Sequence, residues 1–374
     1  MQNIAILVFD YSLLGGVQRV TYNLAQLMVD ESFPIKCVIS ICKNGNVDYP
    51  YQVPVEVVGE SASMFRHIES ALIKFKIQQV IVQVENLKFL YPIINYLSDY
   101  GCSVYPVLHS SPYNWIRKYY SLSEYLHSPR HIYQWIKMQL YWKRQHLRIF
   151  KNVVDKHGVI CVSAQARKEM CEIMGLSTET DKIRYVYNPV LIKEGLPVEK
   201  ENAIVYAGRI DADKRPLLMI RVWRELEKVY PEWTFYMLGD GPMLQEVKNY
   251  IAKHGLRHVR VEGTVNNVSD YLKKSKISIL FSKYEGLPTV MLEACYNDNA
   301  LVATINDGGT RDVVKDGLNG RLVYASDFFG IVSIMKTLMA ENGKAADDLA
   351  NNNKEIRKQF ETNEIVIAWK NILE

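Results

Sequence analysis

Short apolar runs rich in β-branched residues alternate with helical patterns along almost the whole chain. Such alternation is typical of parallel sheets built from right-handed βαβ units, so we expect an α/β protein. The first half predicts strands at 3–9, 35–41, 53–58, 79–84, 103–108 and 158–162. The second half predicts strands at 203–207, 234–238, 259–262, 277–281, 300–304 and 321–324. Helices are predicted between most strands, starting after Gly16 and near Arg215, Met243, Asn267 and Pro288.

The chain has 374 residues, which is more than one domain with a single hydrophobic core usually contains and is a suitable length for two domains. The segment 189–201 interrupts the alternation with prolines and mixed charge, which indicates a linker. We therefore predict Rossmann-like domains at 1–188 and 202–359, doubly wound and facing a central cleft. A C-terminal helix at about 360–374 could pack back on the first domain. In open α/β sheets, ligands bind beyond the carboxyl ends of the strands.

The composition is that of a globular protein, with 48% hydrophobic and 23% charged residues. The first residues lack a basic leader and a small-residue cleavage site, so they are interpreted as a first strand. The apolar stretch after residue 79 is broken by Glu85, Asn86 and Lys88, which argues against a membrane span. The six cysteines form no CxxC pair and favour buried, reduced thiols in a cytoplasmic protein.

Two glycines, Gly15 and Gly16, follow the first predicted strand in "LLGGVQRV" and open a helix. Glycines let the backbone approach a ligand closely, and a helix N-terminus favours an anion. The stretch has neither the GxGxxG spacing of a dinucleotide site nor the GK[ST] of a P-loop. A tight strand-to-helix turn explains the glycines equally well.

The loop "YAGRIDADKRP", after the first strand of the second domain, carries Arg209 and Lys214. An Arg fork and a Lys point charge suit a diphosphate whose charge must be neutralised when it leaves. Taken alone, the two are better explained as solvated surface cations. Asp211 and Asp213 form a DxD pattern, but we do not assign a metal site because the neighbouring cations would compete with the ion.

The stretch "SKYEGLPTVMLEA" places Glu285 and Glu293 on either side of the helix start near Pro288. The helix N-terminus suits an anion, whereas carboxylates accept hydrogen bonds from hydroxyls. Both requirements are met by a nucleotide sugar, which joins ribose and sugar hydroxyls through a diphosphate. Glu293 lies in an apolar run and needs a partner. In the first domain, His109 ends a strand in "YPVLHSSPYNW", where a capped loop residue is an equal alternative.

The order of these features resembles family-4 retaining glycosyltransferases of the GT-B fold. It runs from the Gly-Gly loop and strand-end His through "GR…K" and "EGLPTVMLEA" to "DGGTRDVVKDGLNGRLV". The resemblance spans both domains and is most specific from Ala203 to Val323. It implies that 1–188 binds the acceptor and that 202–359 binds a nucleotide-sugar donor. One departure is Arg311-Asp312, where the family usually carries Pro-Glu.

By this resemblance, Arg209 and Lys214 hold the donor diphosphate, and Glu293 takes the ribose hydroxyls. Glu285 lies against the donor sugar, and His109 is similar to the family's active-site His. The residues implied in catalysis are His109, Arg209, Lys214 and Glu285. Further residues implied in donor binding are Gly15, Gly16, Gly286, Leu287, Pro288 and Thr289, with Gly16 closing on the phosphates from the opposite domain. The candidates on the acceptor side are Gln18, Ser110 and Trp115.

The family retains the anomeric configuration and typically needs no metal, so we expect no cofactor beyond the donor itself. The sequence has no obvious covalent nucleophile, which favours front-face attack by the acceptor hydroxyl, with the departing phosphate taking its proton. We expect transfer of a hexose from a UDP-sugar to a glycan or lipid-linked acceptor in bacterial polysaccharide biosynthesis. The alternatives are a GT-B sugar-nucleotide epimerase and a non-catalytic scaffold or nucleic-acid-binding protein with a degenerate transferase fold.

Residues 113–157 carry nine Lys or Arg against Glu124 and Asp155, a local charge of +7 in a chain of net charge +4. Aromatic residues lie among these cations. This combination suits an anionic membrane surface, although nucleic acid or a helical cap on the sheet would also use it. The acceptor-side position favours the membrane. We therefore expect a cytoplasmic protein, peripheral on the inner face of the cell membrane, with no nucleic-acid partner.

Overall fold

The computed structural model describes residues 2–13, 15–47, 49–85, 87–117, 129–137, 143–191 and 198–374. The chain forms two compact units. Unit 1 comprises Met1–Pro189 together with Thr362–Glu374, and unit 2 comprises Val190–Glu361. Part of the linker segment, 192–197, lies outside the described residues.

Unit 1 is built on a seven-stranded parallel sheet of order β3-β2-β1-β4-β5-β6-β7. Its strands are β1 (Ile4–Asp10), β2 (Ile35–Cys42), β3 (Val55–Val57), β4 (Gln79–Val84), β5 (Ser103–Leu108), β6 (Val159–Cys161) and β7 (Ile183–Tyr185). In the register, Ile6 of β1 lies beside Val38 of β2 and Ile81 of β4. Strands β1 and β4 are buried along almost their whole length, as expected for a sheet covered on both faces.

The helices of unit 1 are α1 (Gly16–Asp30), α2 (Met64–Phe75), α3 (Leu87–Asp99), α4 (Pro112–Arg117), α5 (Pro129–Lys137), α6 (Lys143–His157) and α7 (Ala164–Met174). The apolar faces of α2, α3, α6 and α7 form one core with strands β1, β2, β4, β5, β6 and β7. In α6, the buried side chains include Phe150, Val153 and Val154, so one face of this basic helix belongs to that core.

Unit 2 has a six-stranded parallel sheet of order β10-β9-β8-β11-β12-β13. Its strands are β8 (Glu201–Ala207), β9 (Thr234–Leu238), β10 (Val259–Gly263), β11 (Ser275–Leu280), β12 (Ala300–Thr304) and β13 (Gly320–Val323). Its helices are α8 (Pro216–Glu227), α9 (Leu244–His254), α10 (Val268–Lys274), α11 (Thr289–Tyr296), α12 (Thr310–Val313), α13 (Phe328–Ala350) and α14 (Asn353–Arg357), followed by a 3₁₀ turn at Lys358–Phe360.

The last helix, α15 (Thr362–Leu373), belongs to unit 1. Its buried residues include Trp369, Ile372 and Leu373. The Leu373 carbonyl accepts a 2.8 Å hydrogen bond from Nε2 of Gln79, the first residue of β4. The chain therefore leaves unit 1, forms unit 2 and returns to unit 1.

The predicted fold class, two Rossmann-like α/β domains, is confirmed. All twelve predicted strands are present within a few residues of their predicted ends. Strand β7 was not predicted, because it has three residues of which only Ile183 is buried. Helix α13 was not predicted either; its backbone is non-helical from Ala340 to Gly343, which interrupts the helical periodicity. All six cysteines are buried and unpaired, as expected.

Each sheet has one point at which the strand order reverses. In unit 1 this point lies between β1 and β4, and in unit 2 it lies between β8 and β11. The loops that leave two such strands diverge to opposite faces and open a crevice at their carboxyl ends, where doubly wound proteins bind ligands. Ligand-binding residues are therefore expected at these two places.

In the part of the chain that the structure describes, no helix has both the length and the apolar character needed to cross a membrane.

Candidate active site

In unit 2, the loop after β8 is held in one shape by Asp211. Its Oδ1 accepts hydrogen bonds from the backbone N–H groups of Asp213 and Lys214, each at 3.1 Å. Its Oδ2 lies 3.3 Å from Nη2 of Arg209, whose side chain is 71% exposed. Asp211 thus shapes the loop, while the Arg209 guanidinium remains open to a ligand.

The second carboxylate of the DxD pattern is also engaged by protein groups. Asp213 accepts a hydrogen bond from the hydroxyl of Tyr284, and its carbonyl accepts one from the Lys283 N–H at 2.7 Å. Burial raises the pKa of Tyr284, and the neighbouring Asp213 raises it further. The Tyr284 hydroxyl therefore remains a donor to Asp213 at neutral pH. Asp211 therefore connects residues within the loop after β8, and Asp213 connects this loop to the loop after β11.

Lys214 and Glu285 form an ion pair across the reversal point of the unit 2 sheet. Lys214 comes from the loop after β8, and Glu285 comes from the loop after β11. Their side chains are 24% and 13% exposed, so the pair is partly buried but still accessible to a ligand. The backbone of Glu285 is held by an N–H···O bond of 3.1 Å to Asp307, and Gly286 accepts one of 2.8 Å from Gly309. The structure thus brings together two residues that lie 71 positions apart.

Arg215 ties the same two loops together, and sequence reasoning gave it no role. Its Nη1 donates to the carbonyls of Phe281 and Ser282 at 3.0 and 2.8 Å. Its backbone is left-handed, with φ of 51°, and it precedes Pro216 at the start of α8. No local pattern indicates this conformation, because the residue before a proline usually adopts an extended backbone.

The loop after β9 supports the Arg209 loop from the side. The Ile210 N–H donates to Asp240 at 2.8 Å, and the Met243 N–H donates to Ile210 at 2.9 Å. Gly239 has φ of 128°, and a Cβ there would collide with the carbonyl oxygen of Gly208. Sequence reasoning missed this loop, although the two glycines of "LGDGP" are a visible signal of close backbone approach.

Helix α11 starts at Thr289, one residue after the predicted position, with Pro288 as its N-cap. Leu287 is buried beside it, and Glu293 lies on the second turn, 6% exposed, as the sequence predicts. The first turn of any helix leaves backbone N–H groups without intrahelical partners, and these favour an anion. Helix α12 follows the next strand and contains Arg311 and the buried Asp312.

In unit 1, Gly15 is the N-cap of α1, and Gly16 is its first residue. A Cβ on Gly15 would collide with Oε1 of Gln18, so Gly15 leaves room for that side chain. Gln18 is buried, and its Nε2 donates to Oε1 of Glu85 at 2.7 Å. Glu85 follows β4, so this hydrogen bond crosses the reversal point of the unit 1 sheet.

The pKa of the Glu85 carboxyl is raised to about 7. Burial is the main cause, the nearby charge of Asp10 adds to it, and the Gln18 hydrogen bond partly offsets both. Burial also opposes the ionisation of Asp10, but hydrogen bonds from Ser12, Asn44 and Cys42 outweigh it and hold the Asp10 pKa below its usual value. Sequence reasoning used Glu85 only as a charge that interrupts an apolar run, because its depth and its partner depend on residues far away in the chain.

His109 lies just after β5, where its Nε2 is hydrogen-bonded to Oε1 of Gln83. Burial lowers the pKa of His109 to about 3, so the imidazole is neutral at physiological pH. Gln83 is fully buried, and its Nε2 has no hydrogen-bond partner among the described residues. Gln83 of β4 therefore holds His109, and Glu85, the residue after β4, holds Gln18.

The other acceptor-side candidates lie at the start of α4. Ser110 accepts a 2.9 Å hydrogen bond from Asn114, and the neighbouring Ser111 donates at 2.8 Å to the buried Glu169 of α7. The side chain of Trp115 lies outside the described residues.

The basic aromatic segment 113–157 is described only in part, because 118–128 and 138–142 lie outside the described residues. Tyr133 of α5 is 66% exposed, whereas Phe150 of α6 is a core residue. Arg144 and Arg148 of α6 are exposed. The aromatic rings therefore do not form one class: at least one is in the core and at least one faces solvent.

Comparison with known proteins gives a family match to the second half of the chain. The family model described as "Glycosyl transferases group 1" matches residues 189–356, which include every candidate donor residue of unit 2. Two bacterial relatives also match.

The first relative is the GalNAc-alpha-(1->4)-GalNAc-alpha-(1->3)-diNAcBac-PP-undecaprenol alpha-1,4-N-acetyl-D-galactosaminyltransferase of Campylobacter jejuni, 28% identical over 217 residues, 54% of this chain and 60% of that protein. The chain thus spans less than two thirds of the length of this relative. The second is the UDP-Gal:alpha-D-GlcNAc-diphosphoundecaprenol alpha-1,3-galactosyltransferase of Escherichia coli, 24% identical over 345 residues, 86% of this chain and 84% of that protein.

Among solved structures, the crystal structure of Anabaena Alr3699/HepE in complex with UDP and glucose has a TM-score of 0.76. The identity is 15%, and the match covers 100% of this chain and 99% of that one, so it shows a shared fold. Residues 189–356 of the chain are therefore similar to the glycosyl transferases group 1 family, within a fold shared with HepE over the whole chain.

Proposed function

We propose that the chain is a retaining glycosyltransferase that moves a hexose from a UDP-sugar to a glycan or lipid-linked acceptor in bacterial polysaccharide biosynthesis. The observation that carries this proposal is the Lys214–Glu285 pair at the reversal point of the group 1 domain. A cation and a carboxylate side by side match the two parts of a nucleotide sugar, its diphosphate and its hydroxyls. The names of both relatives, which include a diphosphate-linked undecaprenol, support a lipid-linked acceptor.

The donor is bound by unit 2 in this proposal. Arg209 and Lys214 bind the diphosphate, and Glu285 binds hydroxyls of the sugar. Glu293 binds the ribose, and the N–H groups of the first turn of α11 add favourable charge beside the phosphates. As the bond to the sugar breaks, negative charge grows on the diphosphate, and these cationic groups stabilise it.

The acceptor is bound by unit 1, where His109, Gln18 and Ser110 lie at or just beyond the carboxyl ends of β1 and β5. Because the imidazole of His109 is neutral, it contributes a hydrogen bond rather than a charge. The acceptor hydroxyl attacks the anomeric carbon from the face that the diphosphate leaves, and the leaving phosphate takes its proton. The configuration is thereby retained without a covalent enzyme intermediate.

We propose that the reaction needs no divalent cation, because Asp211 and Asp213 are already committed to loop hydrogen bonds. We also propose that segment 113–157 docks on the anionic inner face of the cell membrane, where a lipid-linked acceptor would be presented.

The test is a screen of nucleotide sugars by thermal shift, followed by turnover with the donors that bind. We expect a UDP-hexose to raise the melting temperature and to be transferred to a diphosphate-linked acceptor, with the α-anomeric proton of donor and product seen by NMR. Activity should survive excess EDTA. A product of inverted configuration would overturn the retaining mechanism. Release of an isomerised sugar without an acceptor would favour the epimerase. The absence of any donor binding or turnover would overturn the proposal.

A further inference from the structure

The two units place equivalent pairs at the reversal points of their sheets. In unit 2, Lys214 from the loop after the first strand contacts Glu285 from beyond the fourth strand. In unit 1, Gln18 from the start of α1 contacts Glu85 from beyond β4. Each glutamate therefore stands where doubly wound sheets bind ligands. Glu85 is the counterpart in unit 1 of a proposed substrate-binding residue in unit 2.

The two glutamates differ in the charge of their partners. Glu285 is paired with a lysine, whereas the partner of Glu85 is a neutral amide. The charged group that acts on Glu85 among the described residues is another acid, Asp10. This environment disfavours a phosphate and favours a neutral ligand rich in hydroxyls.

Glu85 keeps one oxygen for such a ligand. Among the described residues it has one side-chain hydrogen bond, from Gln18 to Oε1. Gln18 is itself fixed by its burial and by the space that Gly15 leaves for it. The carboxyl is thus held in place from one side, with Oε2 available on the other.

We propose that Glu85 binds the acceptor: its Oε2 accepts a hydrogen bond from one ring hydroxyl of the acceptor's terminal sugar, while Gln18 holds Oε1. The inference rests on the proposed function, since it gives unit 1 a sugar acceptor. It assigns the crevice between β1 and β4 to a sugar ring, so the diphosphate of a lipid-linked acceptor lies elsewhere. A pKa near 7 agrees with this role, because the carboxyl accepts a hydrogen bond when ionised and can donate one when protonated.

The test is a cycle of enzyme variants and acceptor analogues, made with the full chain. The probes are an N-acetylhexosaminyl diphosphate carrying a lipid chain and its analogues that lack one ring hydroxyl each. Glu85→Leu removes the carboxyl. Glu85→Gln keeps an oxygen that can accept the hydrogen bond from Gln18, and it replaces the leucine variant in the test if that variant does not fold. Glu56→Gln, which alters a carboxylate paired with Lys74 on the surface of unit 1, is the matched control.

We expect one deoxy analogue to raise the acceptor KM of the wild type about tenfold, the usual scale for a hydrogen bond to a charged group. In Glu85→Leu, removal of the same hydroxyl should not raise the acceptor KM further. In Glu85→Gln, it should raise the acceptor KM clearly less than in the wild type. The Glu56→Gln control should behave as the wild type, both in acceptor KM and in hydrolysis of the donor alone.

If every deoxy analogue raises the acceptor KM of the Glu85 variants by the same factor as that of the wild type, Glu85 does not contact the acceptor and the inference is wrong. Donor hydrolysis distinguishes this result from a failure of the proposed function. A wild-type chain that neither binds nor turns over any nucleotide sugar overturns the proposed function, and the inference with it.

Discussion

Lys214 is the residue on which the proposed chemistry most depends, because it is paired directly with Glu285. Lys214→Ala should lower kcat about 100-fold while weakening donor binding much less, because charge on the leaving diphosphate grows in the transition state. The measurement compares kcat from UDP release with the donor Kd from calorimetry. Lys228→Ala, an exposed lysine on the same domain, is the control. Equal losses in kcat and in affinity would mean that Lys214 binds donor and transition state alike.

Glu85 makes the stability of unit 1 depend on pH. Its pKa is about 7 in the folded chain against an ordinary value of 4.5, so the folded state favours the protonated carboxyl. Below about pH 4.5 both states carry the proton and there is no cost. As pH rises from 4.5 to 7, the folded state is destabilised by an amount on the order of 3 kcal/mol, which then stays constant.

Glu85→Gln removes this penalty and can keep the hydrogen bond from Gln18. The variant should therefore melt close to the wild type at pH 5 and several degrees higher at pH 8. Thermal unfolding at the two pH values measures the difference, and Glu56→Gln serves as a control that removes an ordinary carboxylate. A gain that is the same at both pH values would show that Glu85 is not buried as the structure has it.

At the scale of elements, the loops after β8 and β9 act as one unit. Gly239→Ala introduces a Cβ against the Gly208 carbonyl and should push the two loops apart, moving Arg209. We expect a stability loss of about 1–3 kcal/mol and weaker UDP-sugar binding by thermal shift and calorimetry.

The chain offers a matched control for this change. Gly255, at the end of α9, also has a left-handed backbone, with φ of 63°, but its Cβ would meet no atom within 4 Å. Gly255→Ala should lower stability through backbone strain alone and leave donor binding intact. Equal donor affinities for the two variants would contradict the idea that contact between the loops positions the donor site.

At the scale of the whole molecule, the local charge of 113–157 has consequences that no single residue carries. Replacing Lys137, Lys143, Arg144 and Arg148 with Gln should release the protein from anionic vesicles, since each basic residue adds about 1 kcal/mol near such a surface. Binding of the wild type should weaken with salt. Cosedimentation with vesicles containing phosphatidylglycerol measures both effects, and donor hydrolysis in solution should be unchanged.

Four exposed lysines of unit 2 provide the control: Lys228, Lys248, Lys253 and Lys354. Changing these to Gln alters the net charge by the same amount at a different place. If both quadruple variants bind vesicles equally, adsorption depends on overall charge and the segment has no special role.

The positions of strands and helices could be predicted from the sequence because they depend on local periodicity. Alternating apolar runs located the buried strands, and Pro288 located the start of α11 to within one residue. The same local patterns marked Arg209, Lys214, Glu285 and Glu293, because strand-end loops in doubly wound sheets carry ligand residues. Elements without a strong local period, β7 and the interrupted α13, were not predicted.

Only the tertiary structure decided which side chains meet. Gln18 and Glu85 are 67 positions apart, and Gln83 and His109 are 26 apart, so no local pattern pairs them. The order of the strands brings the ends of β1, β4 and β5 together, and burial then sets the properties of the groups found there. A glutamate that in the sequence only interrupts an apolar run becomes a carboxyl with a pKa near 7, because desolvation and a neighbouring acid act on it only in the folded chain.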